Sequence, residues 1–424
     1  MPLRIRVPRL EVIEATLDNG LRVRLLPDDS VPICSLYLVF RVGTRHERPG
    51  RVGISHLFEH MYFNGAKKYG YGEFDRVLEG LGGESNAYTT HDETVYHENF
   101  PSEALETVLD LEADRMRSLR ISPPALERER RVVMEERRMR VDNDVSGMLG
   151  EELDALAYRV HPYGWPVVGR MEDIAGIRRT DCNDFFGTYY APNNATLYLA
   201  GDFTPPAALR LIRRAFRDIP RRPAPPAPSS HEPEPKGERR MVVRHPAQAP
   251  QVLVAYLGPP AGSEHTPALD VLQFALSVGE SSRLVQELIY ERELAVNVSM
   301  DWTWRIDPGL ISFSLDLEPE ANPAKAEQAL HEISLLSTEQ ALSPREMERA
   351  KNNLQAMGVS ERATASARAA ACATYESTLG SWREVERVQA RYAAVTAGEV
   401  REAARRYLRP ERRTVVTLLP EAHR

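Results

Sequence analysis

Cysteine is scarce in this sequence. Its 424 residues include three cysteines, Cys34, Cys182 and Cys372, which lie far apart and show none of the close spacings of a metal-binding motif. A sparse, odd-numbered set argues against a disulfide framework and favours a reducing compartment. We therefore predict a cytoplasmic protein.

Long apolar runs are also missing. The longest, VPICSLYLVF, spans about ten residues, which is too short to cross a bilayer. The N-terminal stretch MPLRIRVPRLEVIEATLDNG has no uninterrupted apolar core of signal-peptide length. We expect a soluble protein with no membrane span and no signal peptide.

No tract of lysine or arginine stands apart from acidic residues. The formal net charge is −7, and basic stretches such as RERRVVMEERRMR are interleaved with glutamate. A nucleic-acid-binding protein would instead show a basic patch or stripe. We predict that nucleic acid is not a partner.

Proline is concentrated in one central stretch. Residues 220–237, PRRPAPPAPSSHEPEPKG, lack apolar periodicity and have the composition of an exposed linker. The two flanking segments resemble each other. Each begins with the pattern of a strand, a polar loop and a helix ended by glycine, and each ends with a Tyr–Pro turn before an apolar strand. We predict an N-terminal domain over 1–219, a linker over 220–241 and a homologous C-terminal domain over 242–424.

The segment GISHLFEHMYFNG places two histidines and a glutamate among apolar residues. His56 and His60 are four residues apart, so on a helix both side chains project from one face and can bind a common metal ion. Imidazole is a frequent zinc ligand, and Glu59, at the edge of that face, could take a proton from a water that the metal holds. The alternative is a buried polar pocket in which these side chains only satisfy one another.

The second copy of the duplication lacks this chemistry. Aligning the glycines that end the two helices places Asp270, Gln273 and Phe274 opposite the two histidines and the glutamate. The second copy therefore keeps the helix without the reactive side chains. We predict that the first half carries the reaction and that the second is a structural or substrate-holding counterpart.

A second helix supplies a candidate third ligand. In PALERERRVVMEERRMRVDN, Glu129, Val132, Val133 and Glu136 recur at the spacing of a core-facing stripe. The other charged residues of this helix fall on a solvated face: Glu127, Arg128, Arg130, Arg131, Glu135, Arg137 and Arg138. Glutamates on an apolar stripe are costly to bury unless a cation or a hydrogen-bond donor compensates them. We predict that Glu136 binds the metal and that Glu129 orients a histidine, the alternative being an ordinary acidic helix.

The motif and its surroundings resemble a known family. HLFEH, followed by a glutamate 76 residues after the second histidine, is similar to the inverted zinc motif of the pitrilysin, insulinase and mitochondrial processing peptidase superfamily. LDNGLRVRLLPD, FRVGTRHE, LGGESNAYTTHDETVYHENF, ERRVVMEE, HPYGWPVVGRMEDI and YYAPNNATLYLAGDF each resemble a block of that family, in its order. The resemblance implies His56, His60 and Glu136 as ligands of one zinc ion per chain, Glu59 as the general base and Glu129 as the support of a ligand.

The resemblance also implies a fold and an activity. The fold is α+β, with two homologous domains that are each an antiparallel sheet flanked by helices, and two such chains pair into a clamshell. The activity is that of a zinc endopeptidase that hydrolyses peptides or small unfolded proteins in the enclosed chamber. The segment ESNAYTT would be an exposed edge strand that binds the peptide through Asn86, Ala87 and Tyr88.

One departure from the family pattern concerns the partner. Active members supply an arginine and a tyrosine from the zinc-free half of the clamshell, in a block resembling L-R-x-x-x-x-L-G-Y-x-V. Here LIYERELAVNV has Ile289 and Val296 at those positions, and Tyr290 and Arg292 are out of phase with them. We therefore predict a heterodimer in which a homologous zinc-free subunit supplies the arginine and tyrosine, a homodimer being less favoured. The alternatives are a non-catalytic assembly subunit related to the processing peptidases and a metal-binding chaperone that holds peptides without cutting them.

Overall fold

The structure is a computed structural model that describes residues 7–421, so the ends of the predicted domains at 1–6 and 422–424 lie outside the described residues. The strands are β1 (Ile13–Thr16), β2 (Arg22–Pro27), β3 (Ile33–Phe40), β4 (Glu84–Thr89), β5 (Thr94–Pro101), β6 (Ala195–Gly201), β7 (Arg239–His245), β8 (Gln251–Leu257), β9 (Ala295–Trp302), β10 (Leu310–Leu317) and β11 (Arg413–Pro420). The helices are α1 (Ile54–Met61), α2 (Glu73–Gly80), α3 (Leu105–Ser118), α4 (Pro123–Arg137), α5 (Val145–Ala157), α6 (Met171–Gly176), α7 (Arg179–Tyr189), α8 (Pro205–Phe216), α9 (Thr266–Ser277), α10 (Pro323–Glu339), α11 (Pro344–Ser360), α12 (Ala365–Leu379), α13 (Glu384–Ala394) and α14 (Ala397–Tyr407).

Two sheets form the framework. The first has the order β1-β2-β6-β3-β5-β4 and the second the order β7-β11-β8-β10-β9. Neighbouring strands are antiparallel except for one parallel pair in each sheet, β2 with β6 and β7 with β11, whose long connections allow the crossover that parallel pairing requires. From β2 onward the two orders correspond strand for strand, so the duplication read from the sequence is present in the topology. The predicted α+β class, with two helix-flanked sheets, is confirmed.

The central strands are buried on both faces. Along β3, Cys34, Leu36 and Leu38 point into one hydrophobic core, and Tyr37 and Val39 point into another on the opposite face. Strands that are covered on both sides read as continuous apolar runs rather than as alternating ones. This explains why the longest apolar run of the sequence coincides with β3.

The two halves of the chain exchange a helix. Helix α5 contacts β7, β8 and β11 of the second sheet, where its Leu149 packs in one cluster with Leu418. Helix α12 contacts β2, β3 and β6 of the first sheet, and its Glu376 accepts hydrogen bonds of 2.7 and 2.8 Å from Arg24. Each sheet therefore has one face covered by a helix from the other half.

The proline-rich segment joins the halves along the surface. Residues 220–238 contain no helix or strand, and β7 begins at Arg239, so the last three residues of the linker predicted over 220–241 belong to a strand. The sequence pattern missed this strand start because β7 is an edge strand that begins with two arginines and, among the described strands, pairs only with β11. Glu232 holds the segment to the first half by accepting hydrogen bonds of 2.9 to 3.1 Å from the backbone N–H groups of residues 159–161.

The structure describes the environment of the three cysteines and the length and polarity of the helices. Cys34, Cys182 and Cys372 are all buried with free thiols. In the part of the chain that the structure describes, every helix is too short or too polar to cross a membrane.

Candidate metal centre

Helix α1 carries the histidine motif. It begins after Gly53, whose φ of 97° lies in the left-handed region, and it ends at Met61, four residues earlier than the glycine that the sequence suggested. Leu57 and Phe58 are completely buried in the core beneath the helix. This packing fixes the rotation of α1 and directs the two histidines to the other side, toward α4.

A carboxylate from the preceding loop fixes the start of α1. The two oxygens of the buried Glu47 accept hydrogen bonds of 2.8 Å from the N–H groups of Gly53 and Ser55. The first N–H groups of a helix have no partner within the helix, and a carboxylate there also interacts favourably with the helix dipole. Burial raises the pKa of Glu47 to about 7, against the effect of these hydrogen bonds.

Helix α4 brings two glutamates to α1. Val133 is completely buried, and Glu129 and Glu136, which flank it along the helix, are half-buried. Val132 is 44% exposed, so its predicted place on the inner stripe is wrong. At about 100° per residue, Val132 and Val133 differ by a quarter turn, and only one of them can face the core.

The five predicted metal and base residues converge at one place. One potential ligand atom from each of His56, Glu59 and His60 lies within 4.8 Å of the other two. Glu136 contacts both histidines, with Oε2 3.2 Å from His60 Nε2 and Oε1 3.7 Å from His56 Nε2. Glu129 Oε2 lies 3.8 Å from His60 Nδ1, on the other side of that ring.

The charges of this cluster are coupled. Burial favours the neutral form of His60, but the neighbouring carboxylates of Glu129 and Glu136 outweigh burial and raise its pKa to about 9. Burial, together with the positive charge on His60, lowers the pKa of His56 to about 4. The hydrogen bond with His60 also holds the pKa of Glu136 below its usual value. A metal ion would have to displace the proton of His60, so its uptake would release a proton.

The donor set fits a zinc ion. Two imidazoles and a carboxylate are among the ligands that zinc takes most often. The Nδ1 atom of His56 is buried without a hydrogen-bond partner, and its Nε2 is 3.7 Å from Glu136, beyond hydrogen-bond distance. Because Nε2 faces Glu136 without a hydrogen bond to it, this is the atom of His56 that could bind a cation held between the two side chains.

Glu59 is held by a residue that the sequence analysis did not single out. The hydroxyl of Thr89, the last residue of β4, donates a hydrogen bond of 2.5 Å to Glu59 Oε2. Burial raises the pKa of Glu59, and this hydrogen bond opposes the rise. The alternation of side chains along a strand places Ala87 and Thr89 on the same face, which is the signal that could have identified Thr89.

The predicted peptide-binding strand leads directly to this site. Among the described strands, β4 is the outermost strand of its sheet and pairs only with β5. The N–H of Ala87 donates a hydrogen bond of 2.8 Å to the side chain of Asn86, which a peptide added at this edge would displace. The ring of Tyr88 lies 6.3 Å from that of His97 on the neighbouring strand β5.

The arginines of α4 are not all solvated, contrary to the sequence expectation. Arg130 donates hydrogen bonds to the carbonyl oxygens of Ile174 and Ile177, because α6 packs against that side of α4. Arg137 is 13% exposed and is also hydrogen-bonded to the protein interior. Arg140, which is exposed, extends back to within 2.8 Å of Glu136 Oε1.

The matching position of the second half is structural. Asp270 on α9 accepts hydrogen bonds from the indole N–H of Trp304 at 2.9 Å and from the hydroxyl of Tyr392 at 2.8 Å. Burial raises the pKa of Asp270 to about 7. Within residues 7–421, the histidine–glutamate cluster on α1 is the one group of three or more such side chains close enough to hold a metal ion.

The segment that departs from the family pattern has no free arginine or tyrosine. Tyr290 donates a hydrogen bond of 2.6 Å to Glu280, and Arg292 pairs with Glu332 at 2.9 Å. Val296 is exposed on β9, the edge strand of the second sheet. Both polar side chains are therefore bonded to acidic residues of the same half of the chain.

Two family models match successive parts of the chain. A family model described as insulinase (peptidase family M16) matches residues 22–170, and one described as the peptidase M16 inactive domain matches residues 176–354. The zinc protease PqqE of Helicobacter pylori is 35% identical over 284 residues, which are 66% of this chain and 64% of that protein. An uncharacterized zinc protease of Mycobacterium leprae is 32% identical over 304 residues, 71% of this chain and 68% of that protein.

Solved structures agree with these matches. The crystal structure of a protease from Helicobacter pylori superimposes with a TM-score of 0.94 at 28% identity, covering 97% of this chain and 100% of that one. The histidine motif, Glu129 and Glu136 all lie within the first matched region, and Asp270 lies within the region matched by the inactive-domain model. The resemblance read from the sequence is confirmed, and the chain belongs to the insulinase (peptidase M16) family.

Proposed function

We propose that this chain is the catalytic, zinc-bearing subunit of an endopeptidase that hydrolyses peptides or small unfolded proteins in an enclosed chamber. The observation that carries the proposal is the contact of one carboxylate, that of Glu136, with both histidines of the motif, while Glu59 stands beside them on a separate hydrogen bond. Ligand and base are thus distinct groups in one cluster.

Each residue has a separate role in this mechanism. His56, His60 and Glu136 would hold one zinc ion, which when bound polarises the scissile carbonyl and acidifies a water molecule. Glu59 takes a proton from the attacking water and returns it to the leaving amine. Because burial raises the pKa of Glu59, it is a stronger base than an exposed carboxylate. Glu129 orients the ring of His60 from its Nδ1 side.

The peptide would lie along the open edge of β4. Backbone groups of Asn86, Ala87 and Tyr88 would bind it as an added strand, which recognises main chain rather than one particular side chain. Since β4 ends at Thr89, which holds Glu59, a peptide at this edge passes close to the base.

The base is tested with Glu59→Gln. The variant should retain stoichiometric zinc and lose turnover of a quenched peptide, because it removes the base and leaves the three ligands in place. The chelator-treated wild type, tested beside it, should lose both metal and turnover. A Glu59→Gln protein that purifies without zinc would contradict the assignment of Glu59 as the base.

The third ligand is tested with a pair of neighbouring glutamates. Glu136→Gln should weaken zinc binding far more than Glu135→Gln, because Glu136 contacts both histidines and Glu135 is exposed on the outer side of α4. Zinc affinity is measured by competition with a chromophoric chelator. Equal effects of the two substitutions would remove Glu136 from the ligand set.

We further propose that the active enzyme is a heterodimer, in which residues 1–219 of this chain carry the catalytic site, residues 220–238 link the halves and the second half, from β7 onward, is a zinc-free counterpart. Ile289 and Val296 cannot donate hydrogen bonds to a substrate carbonyl from their side chains, and losing one such donor typically costs about a hundredfold or more in rate. A homologous partner chain would supply the missing arginine and tyrosine.

The partner is tested by comparing the purified chain with a mixture. The chain alone should bind zinc yet cut peptides slowly, and a homologous zinc-free subunit should restore the rate. Full activity of a homogeneous preparation would refute the heterodimer. Zinc binding with no turnover in either preparation would favour the non-catalytic alternatives.

A further inference from the structure

We propose that Arg137 is a positioning residue of the metal site, which locks the end of α4 to the loop beneath the start of α1 and so fixes Glu136 against the two histidines. This inference rests on the proposed function, in which Glu136 is a zinc ligand. It assigns a role to a side chain that the helical pattern had placed in solvent.

Arg137 makes a forked contact inside the first half. Its Nη1 and Nη2 groups donate to the two carboxylate oxygens of Glu151 at 2.9 and 3.0 Å, and Nη1 also donates to the carbonyl oxygen of Gly169 at 2.6 Å. Its Nε lies 3.4 Å from Asp142. Paired arginine–carboxylate bonds of this kind fix direction as well as distance. The last residue of α4 is thereby tied to both α5 and the loop at Gly169.

Gly169 in turn lies against the start of α1. A Cβ atom on Gly53 would be 2.5 Å from the Cα of Gly169, and one on Gly169 would be 2.6 Å from the Cα of Gly53. Both glycines have positive φ, of 97° and 90°, so neither the space nor the backbone suits another residue. Gly53 directly precedes α1. Arg137 therefore restrains the start of the histidine-bearing helix through Gly169, whose backbone packs against that of Gly53.

The position of Glu136 depends on this anchor. Glu136 is the residue before Arg137, and beyond Arg137 the chain continues as a π-helical turn over Arg138–Asp142. A π-helical turn is rare and departs from the regular hydrogen bonding of an α-helix, so we infer that Arg137 supports this helix end from outside. Besides the two histidines, Glu136 contacts the basic side chain of Arg140. That side chain is 73% exposed and therefore restrains Glu136 only weakly.

The chain offers a matched control in the next residue. Arg138 has the same side chain, is 45% exposed and pairs only with Glu135 on the surface of the same helix. Exposed pairs of this type contribute little to stability. Replacing Arg138 therefore changes the charge and composition of the helix end without touching the contact to Gly169.

The test is the zinc affinity of the purified full chain, measured by competition with a chromophoric chelator. Arg137→Gln should lower the affinity about tenfold or more, the range found when groups that orient ligands are removed, and Arg138→Gln should stay within about twofold of wild type. Arg137→Lys keeps the positive charge but cannot make the paired hydrogen bonds to Glu151, so its zinc affinity should lie between those of Arg137→Gln and Arg138→Gln. Circular dichroism of the zinc-free proteins verifies that each variant is folded.

Glu136→Gln in the same titration separates the two proposals. If Glu136→Gln weakens zinc binding and Arg137→Gln does not, the positioning role is overturned and the ligand set stands. If Glu136→Gln has no effect, the ligand set itself fails.

A second pair keeps the inference testable if Arg137→Gln does not fold. Glu151→Gln releases the fork while leaving the arginine in place, and Glu152→Gln is its neighbouring control. Glu151→Gln should weaken zinc binding and Glu152→Gln should not. Unchanged affinity in a folded Glu151→Gln protein would overturn the positioning role.

Discussion

Glu47 makes folding stability depend on pH in a direction that is unusual for a glutamate. Burial raises its pKa to about 7 in the folded chain, against 4.5 for the free side chain. The folded state therefore binds the proton more tightly than the unfolded state. The stability that this group contributes is complete below the unfolded pKa and is lost as the pH rises through the folded pKa.

The perturbation is Glu47→Gln, which keeps the shape of the side chain and removes its titration. One pKa unit corresponds to about 1.4 kcal/mol, so the free energy of unfolding of the wild type should fall relative to that of the variant by about 2.5 kcal/mol between pH 5 and pH 8. The change with pH is the prediction, since the packing cost of the amide is the same at every pH.

Urea unfolding of both proteins in the presence of a chelator measures this difference. Other buried carboxyl groups whose pKa is raised to about 7, such as Glu93 and Asp270, titrate equally in both proteins and cancel. A difference that is constant with pH would refute the reasoning. So would a wild-type advantage that grows toward alkaline pH, because it would mean that the hydrogen bonds to Gly53 and Ser55 outweigh burial.

Three further substitutions have expected outcomes. Thr89→Val should lower kcat about tenfold in a peptidase assay with KM and zinc content unchanged, because it removes the hydrogen bond that orients the base, and Thr89→Ser should retain the rate. Arg115→Met should cost about 3–5 kcal/mol in urea unfolding, because it leaves the buried carboxyl groups of Glu98 and Glu112 without their cation. Gly53→Ala should lower the midpoint of thermal unfolding, since its Cβ would lie 2.5 Å from a backbone atom at a φ of 97°.

The helices of the site could be predicted from the sequence because their signals are local. The spacing of His56 and His60 and the glutamates seven residues apart on α4 need only the geometry of one helix. Val132 was misplaced for a related reason. The apolar positions i, i+3 and i+4 span a wider face of the helix than the part that packs against the core. Which of the two valines is buried depends on the position of the neighbouring helix.

The supporting contacts could not be predicted in this way. Arg137 and Gly169 are far apart in sequence and meet because α1 packs on α4 and α5 packs on the π-helical turn that follows α4. Thr89 reaches Glu59 across a strand and a helix. An arginine in a charged run has the same local pattern whether it is solvated or buried against a carboxylate, so only tertiary packing distinguishes Arg137 from Arg138.

The exchange of α5 and α12 makes the peptide connection between the halves dispensable for holding them together. If a protease cut the chain within residues 220–238, each fragment would still cover a face of the other's sheet, and separating them would expose both cores. Such a nicked protein should elute as one particle under native conditions and as two fragments only in denaturant. For the same reason, neither half expressed alone has the surface of a finished domain, and each should aggregate unless the other is supplied.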